Sequence, residues 1–555
     1  MDIPAAPAGT DIQFPAWNCL YQIRDFVRDV QQLTATCNGR SEPLRRINLD
    51  TWASPSACKD LELRYQVYAN RKGPFSAALT PQQAFLNPAL LCFYLPQQRS
   101  RPVRVKFLLP PGWKLATLLH HGPGAGEYRA ADYDVLADSP AEAGHFQEYD
   151  YTQRGALYRV IVHAHSADYA SRKLIAGLEK ITATETGMMR DVPFKRYTFI
   201  FNFPHAPVGG GMEHRDGTAI TVPADQTRRT LRGVEAMAAH EFFHLWNVKR
   251  IRPARLEPID YVHGNDTRDL WFCEGVTSTY GELTLLRAEL INRRQFYRHV
   301  ARAIGSLESR PARFYESVET AGLEAWLEKY PDYFRPQRSI SYYNKGELLG
   351  YLLDLGIRQG SQDRASLDTL MRRLNTDFAQ RGRFYRERDL ESLAAQLAPG
   401  FSAARFWRDD VRGVKELNYN KYLAYAGIQL EAKTVQAPAL GFTALKSFEG
   451  PVTVESVEPS SMAATAGLRP GDQLLKMDGV ELLAPPEEEL RGMKPGERVE
   501  FTVERRGQTF DVYYALGGKP AITYRIRELR HATAAERALR DGWLAGKTET
   551  GPNRP

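Results

Sequence analysis

The stretch HEFFHLW at residues 240–246 restricts the fold more than any other part of the sequence. On a helix, residues four apart lie on one face with Cβ atoms about 5–6 Å apart, so the imidazoles of His240 and His244 can converge on one metal ion. Glu241 follows the first histidine and is a candidate general base for a metal-activated water. Chance gives this pattern in roughly one chain in sixty of this size and histidine content, so the signal is specific.

The alternative is a buried structural helix with two hydrogen-bonded histidines and a capped glutamate. The preceding residues VEAMAA, 234–239, are small and apolar, which is typical of a helix buried within a domain. A buried Glu241 without a metal or another partner would be costly or would stay protonated. The flanking sequence therefore favours a metal site on a buried helix.

A catalytic zinc ion usually has three protein ligands, so a third must come from outside this helix. Thirty residues after His244, the segment DLWFCEGVTSTYGEL carries an apolar run up to Glu274, ahead of a predicted helix. The alternatives are His263 and Asp260 in the polar stretch EPIDYVHGND. Glu274 is preferred, and with the two histidines it predicts a site for one zinc ion per chain.

The pattern of secondary structure changes along the 555 residues, and the length alone suggests about three to four domains. Short β-branched and aromatic runs predict a β-rich domain over 1–165, with strands in LELRYQVYA, LLCFYL, RVKFLL and LYRVIVHAH. Patterns of period 3.6, such as LIAGLEKITATET, LRGVEAMAAHEFFHLWNVKRI and KGELLGYLLDLGIRQ, predict a catalytic domain with a large helical part over 166–420. Short strands return in 421–515. The tail, 516–555, holds one predicted strand, AITYRIREL, an amphipathic piece, AAERALRDGWL, and a polar end expected to fray.

Composition argues against several classes of partner. The net charge of +7 is small and spread along the chain, and the basic stretch NVKRIRPAR is interpreted as a solvated helix face and loop. No nucleic-acid partner is therefore predicted. No apolar run approaches the roughly 18 residues that a membrane helix needs, and the N-terminus lacks the features of a signal peptide. The localisation stays open: cytoplasmic by default, and compatible with the mature form of an exported protein.

The five cysteines are Cys19, Cys37, Cys58, Cys92 and Cys273, and they form no CxxC pair. Neither a zinc knuckle nor a redox motif is predicted from them. The odd count favours reduced thiols, whereas in an exported protein the first four cysteines have three ways to pair. The sequence does not choose between these states.

Several motifs together resemble the glycyl aminopeptidase family, a group of gluzincin zinc peptidases: HEFFHLWNVKRIRP, LWFCEGVTSTY, GGGMEHR, ISYYNKG, PAW…YQIRDF and YDVLADSPAEAGHF. The resemblance covers most of residues 14–420. It implies a multidomain α+β protein in which a thermolysin-like α/β catalytic domain with a helical extension follows an N-terminal β-rich domain. It also implies zinc-dependent hydrolysis of peptides from the N-terminus, with a preference for small residues such as glycine or alanine.

The resemblance implies a strand that lies beside the substrate. Related aminopeptidases have a Gly-x-Met-Glu-Asn strand whose glutamate holds the α-amino group of the peptide. The matching residues here are Gly210, Gly211, Met212 and Glu213. A carboxylate in a partly dry cleft suits a charged ammonium, and glycines let the two backbones approach closely. His214 replaces the asparagine, and the alternative is a surface turn with an exposed glutamate.

The resemblance also implies a tyrosine that donates a hydrogen bond to the oxyanion. In SYYNKG the matching residue is Tyr343, with Tyr342 beside it. The alternative is that both tyrosines pack at the start of a helix. After the ligand glutamate, Thr279 and Tyr280 stand where the family tends to have two adjacent tyrosines. This departure affects the shape of the pocket rather than the zinc chemistry.

The region 423–515 resembles a C-terminal PDZ domain of the bacterial protease-associated type, through the segment SSMAATAGLRPGDQLLKMDGVEL. The stretch ALGF, 439–442, matches the loop whose backbone N–H groups capture a terminal carboxylate. Leu440, Gly441 and Phe442 are therefore the expected peptide-binding residues, and protein C-termini the expected partners. A PDZ fold that serves as a rigid docking or dimer surface is the alternative.

Three functions compete at this stage. A zinc aminopeptidase acting on peptides or proteins is preferred, because His240, Glu241, His244, Glu274 and Tyr343 are all present. An endopeptidase would use the same metal and leave the amino end free, so N-blocked peptides distinguish the two. A catalytically inactive PDZ scaffold would more often have lost one of these residues.

Overall fold

A computed structural model of the chain describes residues 1–19, 21–446, 451–482, 485–487, 489–490 and 492–548. The predicted multidomain α+β organisation is confirmed: a β-rich N-terminal domain precedes an α/β domain with a helical extension and a small C-terminal β domain. Each of these parts has its own cluster of buried apolar side chains. Among the described helices, none is both long and apolar enough to cross a membrane.

Among its described residues, the N-terminal domain consists mainly of strands, with one short α-helix and three 3₁₀ turns. Its elements are β1 (Asp2–Ala6), β2 (Thr10–Gln13), β3 (Val30–Cys37), β4 (Arg40–Ser41), β5 (Arg45–Arg46), β6 (Thr51–Ser54), β7 (Cys58–Val67), β8 (Ala78–Leu79), β9 (Gln83–Leu86), β10 (Val103–Lys106), β11 (Lys114–Thr117), β12 (His120–His121), β13 (Glu127–Ala130), α1 (Tyr133–Ala137) and β14 (Ala141–Gly144). They form four small sheets, in the orders β1-β7-β3-β4, β2-β6-β5, β11-β14-β9-β8 and β10-β13-β12. Aromatic side chains such as Phe14, Phe93 and Tyr133 fill the core of this domain.

One strand prediction for this domain is wrong, and the state of its cysteines, left open by the sequence, is given by the structure. LLCFYL, residues 90–95, does not form a strand. A 3₁₀ turn that begins at Pro88 includes its first residue, and a second 3₁₀ turn begins at Pro96, directly after its last residue. A disulfide joins Cys37 and Cys58, whose Cα atoms are 5.3 Å apart, because β3 and β7 are adjacent strands. The odd cysteine count had favoured reduced thiols; the remaining three cysteines are free.

The catalytic domain is built on one five-stranded sheet. Its strands are β15 (Gln147–Gln153), β16 (Ala156–His163), β17 (Arg196–Asn202), β18 (Gly210–His214) and β19 (Gly217–Thr221), in the order β15-β16-β17-β19-β18. The central pairs β16/β17 and β17/β19 are parallel, whereas β18 runs antiparallel at one edge. Because β15 and β16 belong to this sheet, we place the end of the first domain near residue 145 rather than 165.

Helices cover the sheet and extend beyond it. They are α2 (Ser171–Met189), α3 (Ala224–Arg229), α4 (Arg232–Phe243), α5 (Thr277–Arg287), α6 (Arg293–Glu308), α7 (Val318–Leu323), α8 (Tyr342–Gly360), α9 (Leu367–Asp377), α10 (Glu387–Leu397), α11 (Ala403–Phe406) and α12 (Tyr419–Ala424), with π-helical segments at Trp271–Val276 and Trp407–Val411. The helix predicted over 231–251 ends at Phe243. Turns follow because Asn247, a poor residue for a helix interior, uses its side chain to bind the backbone of the next segment.

The C-terminal part consists of β20 (Ile428–Ala439), β21 (Phe442–Lys446), β22 (Val452–Val457), α13 (Met462–Thr465), β23 (Gln473–Met477), β24 (Val480–Glu481), β25 (Arg498–Arg505), β26 (Gln508–Ala515), β27 (Gly517–Glu528) and α14 (Ala534–Ala545). Strands β21-β22-β23-β25-β26 form a sheet with β24 on β23, and β20 pairs with β27 as a long ribbon.

The segment expected to be a tail is structured up to residue 545. Its predicted strand and amphipathic helix are both present, as β27 and α14. The sequence did not predict that α14 returns to the catalytic domain, where Trp543 is buried in the main core and the Trp543 carbonyl accepts from Arg287. Residues 549–555, expected to fray, lie outside the described residues.

Candidate functional site

Three side chains expected to bind a metal meet in the catalytic core. His240 lies in the last turn of α4, His244 directly follows that helix, and Glu274 lies in the π-helical segment Trp271–Val276. The Nε2 atoms of the two histidines are 3.0 Å apart. Glu274 Oε2 is 3.5 Å from His240 Nε2 and 3.2 Å from His244 Nε2. The three atoms form a small, nearly equilateral triangle.

Hydrogen bonds to the far side of each imidazole orient its free nitrogen. The Asn247 carbonyl lies 2.6 Å from His244 Nδ1, so this nitrogen carries the proton and Nε2 offers a lone pair. Ser278 Oγ lies 3.3 Å from His240 Nδ1 and donates to the Glu274 carbonyl, which leaves Oγ free to accept from the ring. Partners of this kind typically fix metal-binding histidines.

A close helix crossing sets the position of Glu274. The π-helical segment and α8 touch at Gly275 and Gly346, where a Cβ on either glycine would run into the backbone of the opposite segment. Asn247 adds a second link, because its side chain donates to the carbonyls of Phe272 and Cys273. We call α4, the segment 271–276 and the start of α8 the ligand wall.

The residues present fit a zinc ion. Tetrahedral zinc with bonds of about 2.0–2.1 Å separates neighbouring ligand atoms by about 3.3 Å, close to the measured triangle. The donor set of two imidazoles and one carboxylate is also one that catalytic zinc uses. Although burial lowers the pKa of His244, the nearby Glu274 and Glu213 carboxylates raise it to about 10. The cluster therefore attracts positive charge strongly.

Glu241 points from α4 into the same space. Its side chain is buried, and Oε2 has no hydrogen-bond partner among the described residues. Burial raises the pKa of Glu241 well above its usual range, against the pull of His244. Gly211 on β18 leaves room for this carboxylate, because a Cβ there would lie 2.6 Å from Glu241 Cγ. A carboxyl group with a raised pKa beside a metal site suits proton transfer.

The alternation of β18 separates its side chains into two sets. Gly211 and Glu213 face the ligand wall, and oxygen atoms of Glu213 and Glu241 lie within 4.8 Å of each other and of a His244 ring nitrogen. Met212 faces the opposite way, where its sulfur accepts from Asn18 at 3.4 Å. Glu213 is buried, which excludes the exposed surface turn considered from the sequence.

His214, which stands in place of the family's asparagine, does not reach the cleft. Its ring is 1% exposed, and Nδ1 lies 3.1 Å from Asp138 Oδ1 of the N-terminal domain. Lys249 also binds this carboxylate, at 2.8 Å. The replacement therefore alters the interface between the domains and leaves the surroundings of Glu213 intact.

The two neighbouring tyrosines have different environments. Tyr343, in the first turn of α8, is 36% exposed, and its ring centre lies 6.2 Å from that of His240. Tyr342 is buried and stacks against Tyr343 with ring centres 4.8 Å apart. Only Tyr343 is therefore both close to the ligand triangle and open to a substrate.

Other residues considered from the sequence lie away from the triangle. His263 and Asp260 bind each other on an exposed loop, with His263 Nδ1 3.0 Å from Asp260 Oδ2. Thr279 and Tyr280 point into the core, where they donate to the Glu347 carbonyl and to Asp368. In the C-terminal sheet, Gly441 has a φ of 77° and fits tightly against Ser461.

Sequence reasoning missed several residues that support the site, among them Asn247, Ser278, Gly346 and Tyr21. Asn247 lies three residues after His244, Ser278 lies four residues after Glu274, and Gly346 belongs to the Lys-Gly pair, so local spacing could have suggested them. Tyr21 comes from the N-terminal domain, and no local pattern links it to the ligands. Burial raises the pKa of the Tyr21 phenol well above its usual range, and the charges of Glu274 and Glu213 add to the rise.

The chain matches known families along most of its length. The M61 glycyl aminopeptidase family matches residues 234–349, the peptidase M61 N-terminal domain matches 1–145, and the PDZ domain matches 427–515. The PDZ prediction for the C-terminal sheet is thereby confirmed. No curated protein matches the chain.

A solved structure shows a similar overall architecture. An aminopeptidase N family protein from Idiomarina loihiensis is 23% identical, with a TM-score of 0.79 over 98% of this chain and 96% of that one. The two proteins therefore share a fold from the first domain to the last. An M1 zinc metallopeptidase from Deinococcus radiodurans is 15% identical, with a TM-score of 0.44 over 73% of this chain and 88% of that one.

Proposed function

Because the chain belongs to the M61 glycyl aminopeptidase family of peptidases, we propose that it is a zinc-dependent aminopeptidase with its active centre at His240, His244 and Glu274. One observation carries the proposal: an oxygen of the buried Glu213 carboxylate lies within 4.8 Å of an oxygen of Glu241 and of a ring nitrogen of His244. The α-amino nitrogen and the carbonyl carbon of one amino acid are about 2.5 Å apart. Only a single residue therefore fits between Glu213 and the metal-binding atoms.

Proton transfer is assigned to Glu241. A zinc ion held by the three ligands would lower the pKa of a water molecule towards about 7 and polarise the scissile carbonyl. Glu241 accepts the proton of the attacking water and passes it to the amine that leaves. Its raised pKa helps the first transfer, because a more basic carboxylate takes the proton of the attacking water more readily.

Two further residues complete the reaction. The Tyr343 hydroxyl donates a hydrogen bond to the oxygen that becomes negative as the carbonyl is attacked, and it does so without adding charge beside the metal. Glu213 binds the free ammonium group through a charge-assisted hydrogen bond. The peptide backbone extends along the open edge of β18, where Gly210 and Gly211 allow close approach.

The substrate class is tested with paired peptides. Glycyl and alanyl amides should be hydrolysed, and the same compounds with an acetylated amino group should not, because acetylation removes the charge that Glu213 binds. A chelator should abolish the activity and added zinc should restore it. Faster cleavage of acetylated peptides would instead favour an endopeptidase, and no cleavage by a zinc-loaded protein would favour an inactive scaffold.

We further propose that the PDZ domain delivers protein C-termini to the catalytic domain. Strand β21 is an edge strand, to which an extended peptide can be added. Arg335 of the catalytic domain forms an ion pair with Glu455 of β22, so a contact joins this sheet to the catalytic domain.

The carboxylate loop offers a variant that tests this role. Gly441→Val should raise KM for long peptides and leave short amides unaffected, because a side chain at Gly441 collides with Ser461. Equal KM for long peptides in both proteins would favour the rigid docking surface instead. Blocking the peptide's C-terminus as an amide should reproduce the effect of the variant in the wild type.

A further inference from the structure

A group of charged side chains joins α4, α5, α6 and α8. His299 of α6 lies between two carboxylates: its Nε2 is 2.6 Å from Glu347 Oε1 of α8, and its Nδ1 is 3.4 Å from Glu282 Oε1 of α5. Arg232, the first residue of α4, binds both oxygens of Glu282, at 3.1 and 2.8 Å. The Tyr351 hydroxyl donates to Glu347 Oε1 at 2.8 Å. We call these five residues the histidine bridge.

The geometry of the histidine bridge favours a protonated imidazole. Glu282 and Glu347 are 8% and 7% exposed, so little water reaches either carboxylate. A neutral imidazole has only one N–H, and one of its two nitrogens would then face a carboxylate with no proton between them. When His299 is protonated, both nitrogens donate, and the charges of the ring and of Arg232 balance those of the two carboxylates.

The balance of the surrounding charges also favours the imidazolium. Although burial lowers the pKa of His299, the charges of Glu347 and Glu282 outweigh it and raise the pKa above the usual 6.5. The charged and titratable groups that act on the ring are Glu282 of α5, Glu347 and Tyr351 of α8, Arg302 of its own helix and, behind Glu282, Arg232 of α4. The side chain of His299 is 27% exposed, so it can exchange this proton with water.

The helices joined by the histidine bridge also carry groups of the active centre. On α8, Glu347 follows Tyr343 by four residues, which places both on one face of the helix, one turn apart. On α5, Glu282 follows Ser278, whose hydroxyl lies beside His240 Nδ1, by the same interval. Because the chain between Tyr343 and Glu347 is helical, a displacement of the carboxylate end moves the tyrosine as well.

We propose that protonated His299 is a positioning residue, which keeps Tyr343 in place for the oxyanion by joining α8 to α5. The proposal rests on the proposed aminopeptidase function. The glycine contact between α8 and the segment 271–276 limits the distance between these elements, but it has no side chains that fix the rotation of α8 about its axis. The charge-assisted bonds of the bridge are directional and supply that restraint. When His299 loses its proton, one of its two bonds is lost and the bridge opens.

One substitution in two backgrounds tests the positioning role. His299→Gln should lower kcat for glycyl amides by about 10–100-fold with little change in KM, because a misplacement of about 1 Å can cost 10²-fold. In the Tyr343→Phe background the same change should have almost no further effect, because no hydroxyl remains to be positioned. Zinc content should equal that of the wild type in each protein. Arg298→Gln is the matched control, since it removes an exposed positive charge from the same helix.

The pH dependence of kcat provides a second test. Glu282→Gln removes one of the two negative charges that stabilise the imidazolium, so the pKa of His299 should fall. The decrease of kcat at alkaline pH should therefore begin at a lower pH in this variant than in the wild type, and Arg298→Gln should keep the wild-type profile.

The outcomes separate this inference from the proposed function. Equal losses of kcat from His299→Gln in both backgrounds, or wild-type kcat in a folded His299→Gln protein, would overturn the role of His299 and leave the aminopeptidase intact. A wild type that cleaves no free-amine substrate would overturn the proposed function itself. If His299→Gln does not fold, the pH profile of Glu282→Gln decides alone, and an alkaline decrease at the wild-type pH would overturn the proposal.

Discussion

The ligand wall and a loop of the N-terminal domain, formed by residues 16–19 and 21–25 and called here the N-terminal loop, differ in how they are held in place. In the wall, His244 and Glu274 are 1% and 3% exposed, and glycine contacts lock the helices together. In the N-terminal loop, residues 16–18 are buried and the other described residues are partly exposed, and one hydrogen bond joins Gln22 to Glu328. The wall is part of the main core, whereas the loop arrives from another domain.

The burial of the ligand wall suits its task. The wall holds reactive groups within a few tenths of an ångström, which proton transfer and metal binding require. Changes in the wall should therefore reduce the rate for every substrate.

The largest effect is expected for Glu241→Gln. The amide keeps the shape of the side chain and removes the base, so kcat/KM should fall by about 10²–10⁴-fold for glycyl and leucyl amides alike. Zinc content should stay at the wild-type level, because Glu241 does not belong to the ligand triangle. A loss of activity for only one of the two substrates would contradict the role of Glu241 as the base in the reaction.

Tyr343→Phe should have the next largest effect. Removing one donor to the oxyanion typically costs about 10²–10³-fold in kcat, and KM should change little because the donor acts in the transition state. Tyr342→Phe is the matched control, because this neighbouring ring is 3% exposed. Equal losses in the two variants would mean that Tyr343 acts through helix packing rather than on the substrate.

A smaller effect is expected for Glu213→Gln. A hydrogen bond to a charged group contributes about 1.5–3 kcal/mol, so kcat/KM for free-amine substrates should fall by about 10–100-fold, chiefly through KM. His214→Asn, on the opposite face of the same strand, should leave KM unchanged. A preference for free amines that survives in Glu213→Gln would contradict the amine-binding role.

The smallest effect on activity is expected at a second contact between the same two domains. Glu142 of β14 is fully buried beside Asn202 and His163, and burial raises its pKa to about 8. The folded protein then holds a proton that the unfolded chain, with a pKa near 4.5, releases. The contribution of Glu142 to the free energy of unfolding should therefore be most favourable below about pH 4.5 and should decrease as the pH rises towards 8.

Glu142→Gln removes this proton equilibrium. The Tm of the variant should fall less than that of the wild type between pH 5 and pH 9, with kcat/KM at pH 7 unchanged. Thermal unfolding across this range measures the difference. If Tm depended on pH in the same way in both proteins, the pKa of Glu142 would be the same in the folded and unfolded states, which would contradict the prediction.

The sequence predicted the metal-binding residues of the ligand wall but not the contacts of the N-terminal loop, and the reason is physical. The spacing of His240 and His244 reflects the repeat of a helix, and Glu274 precedes the next helix within the same core. Gln22 acts across a long separation, because its bond to Glu328 spans 306 residues. The first-domain boundary was placed at 165 because β15 and β16 resemble the preceding strands, although they pair within the catalytic sheet.

The metal content of purified protein tests the central claim most directly. The wild type and His263→Ala should each contain about one zinc ion per chain, whereas His244→Ala should contain none. Of the two histidines that are changed, His244 belongs to the ligand triangle and His263 does not. Elemental analysis after dialysis, with a Tm for each protein, gives the answer. A folded wild type that neither contains nor takes up zinc, or a His244→Ala variant that retains it, would contradict the account.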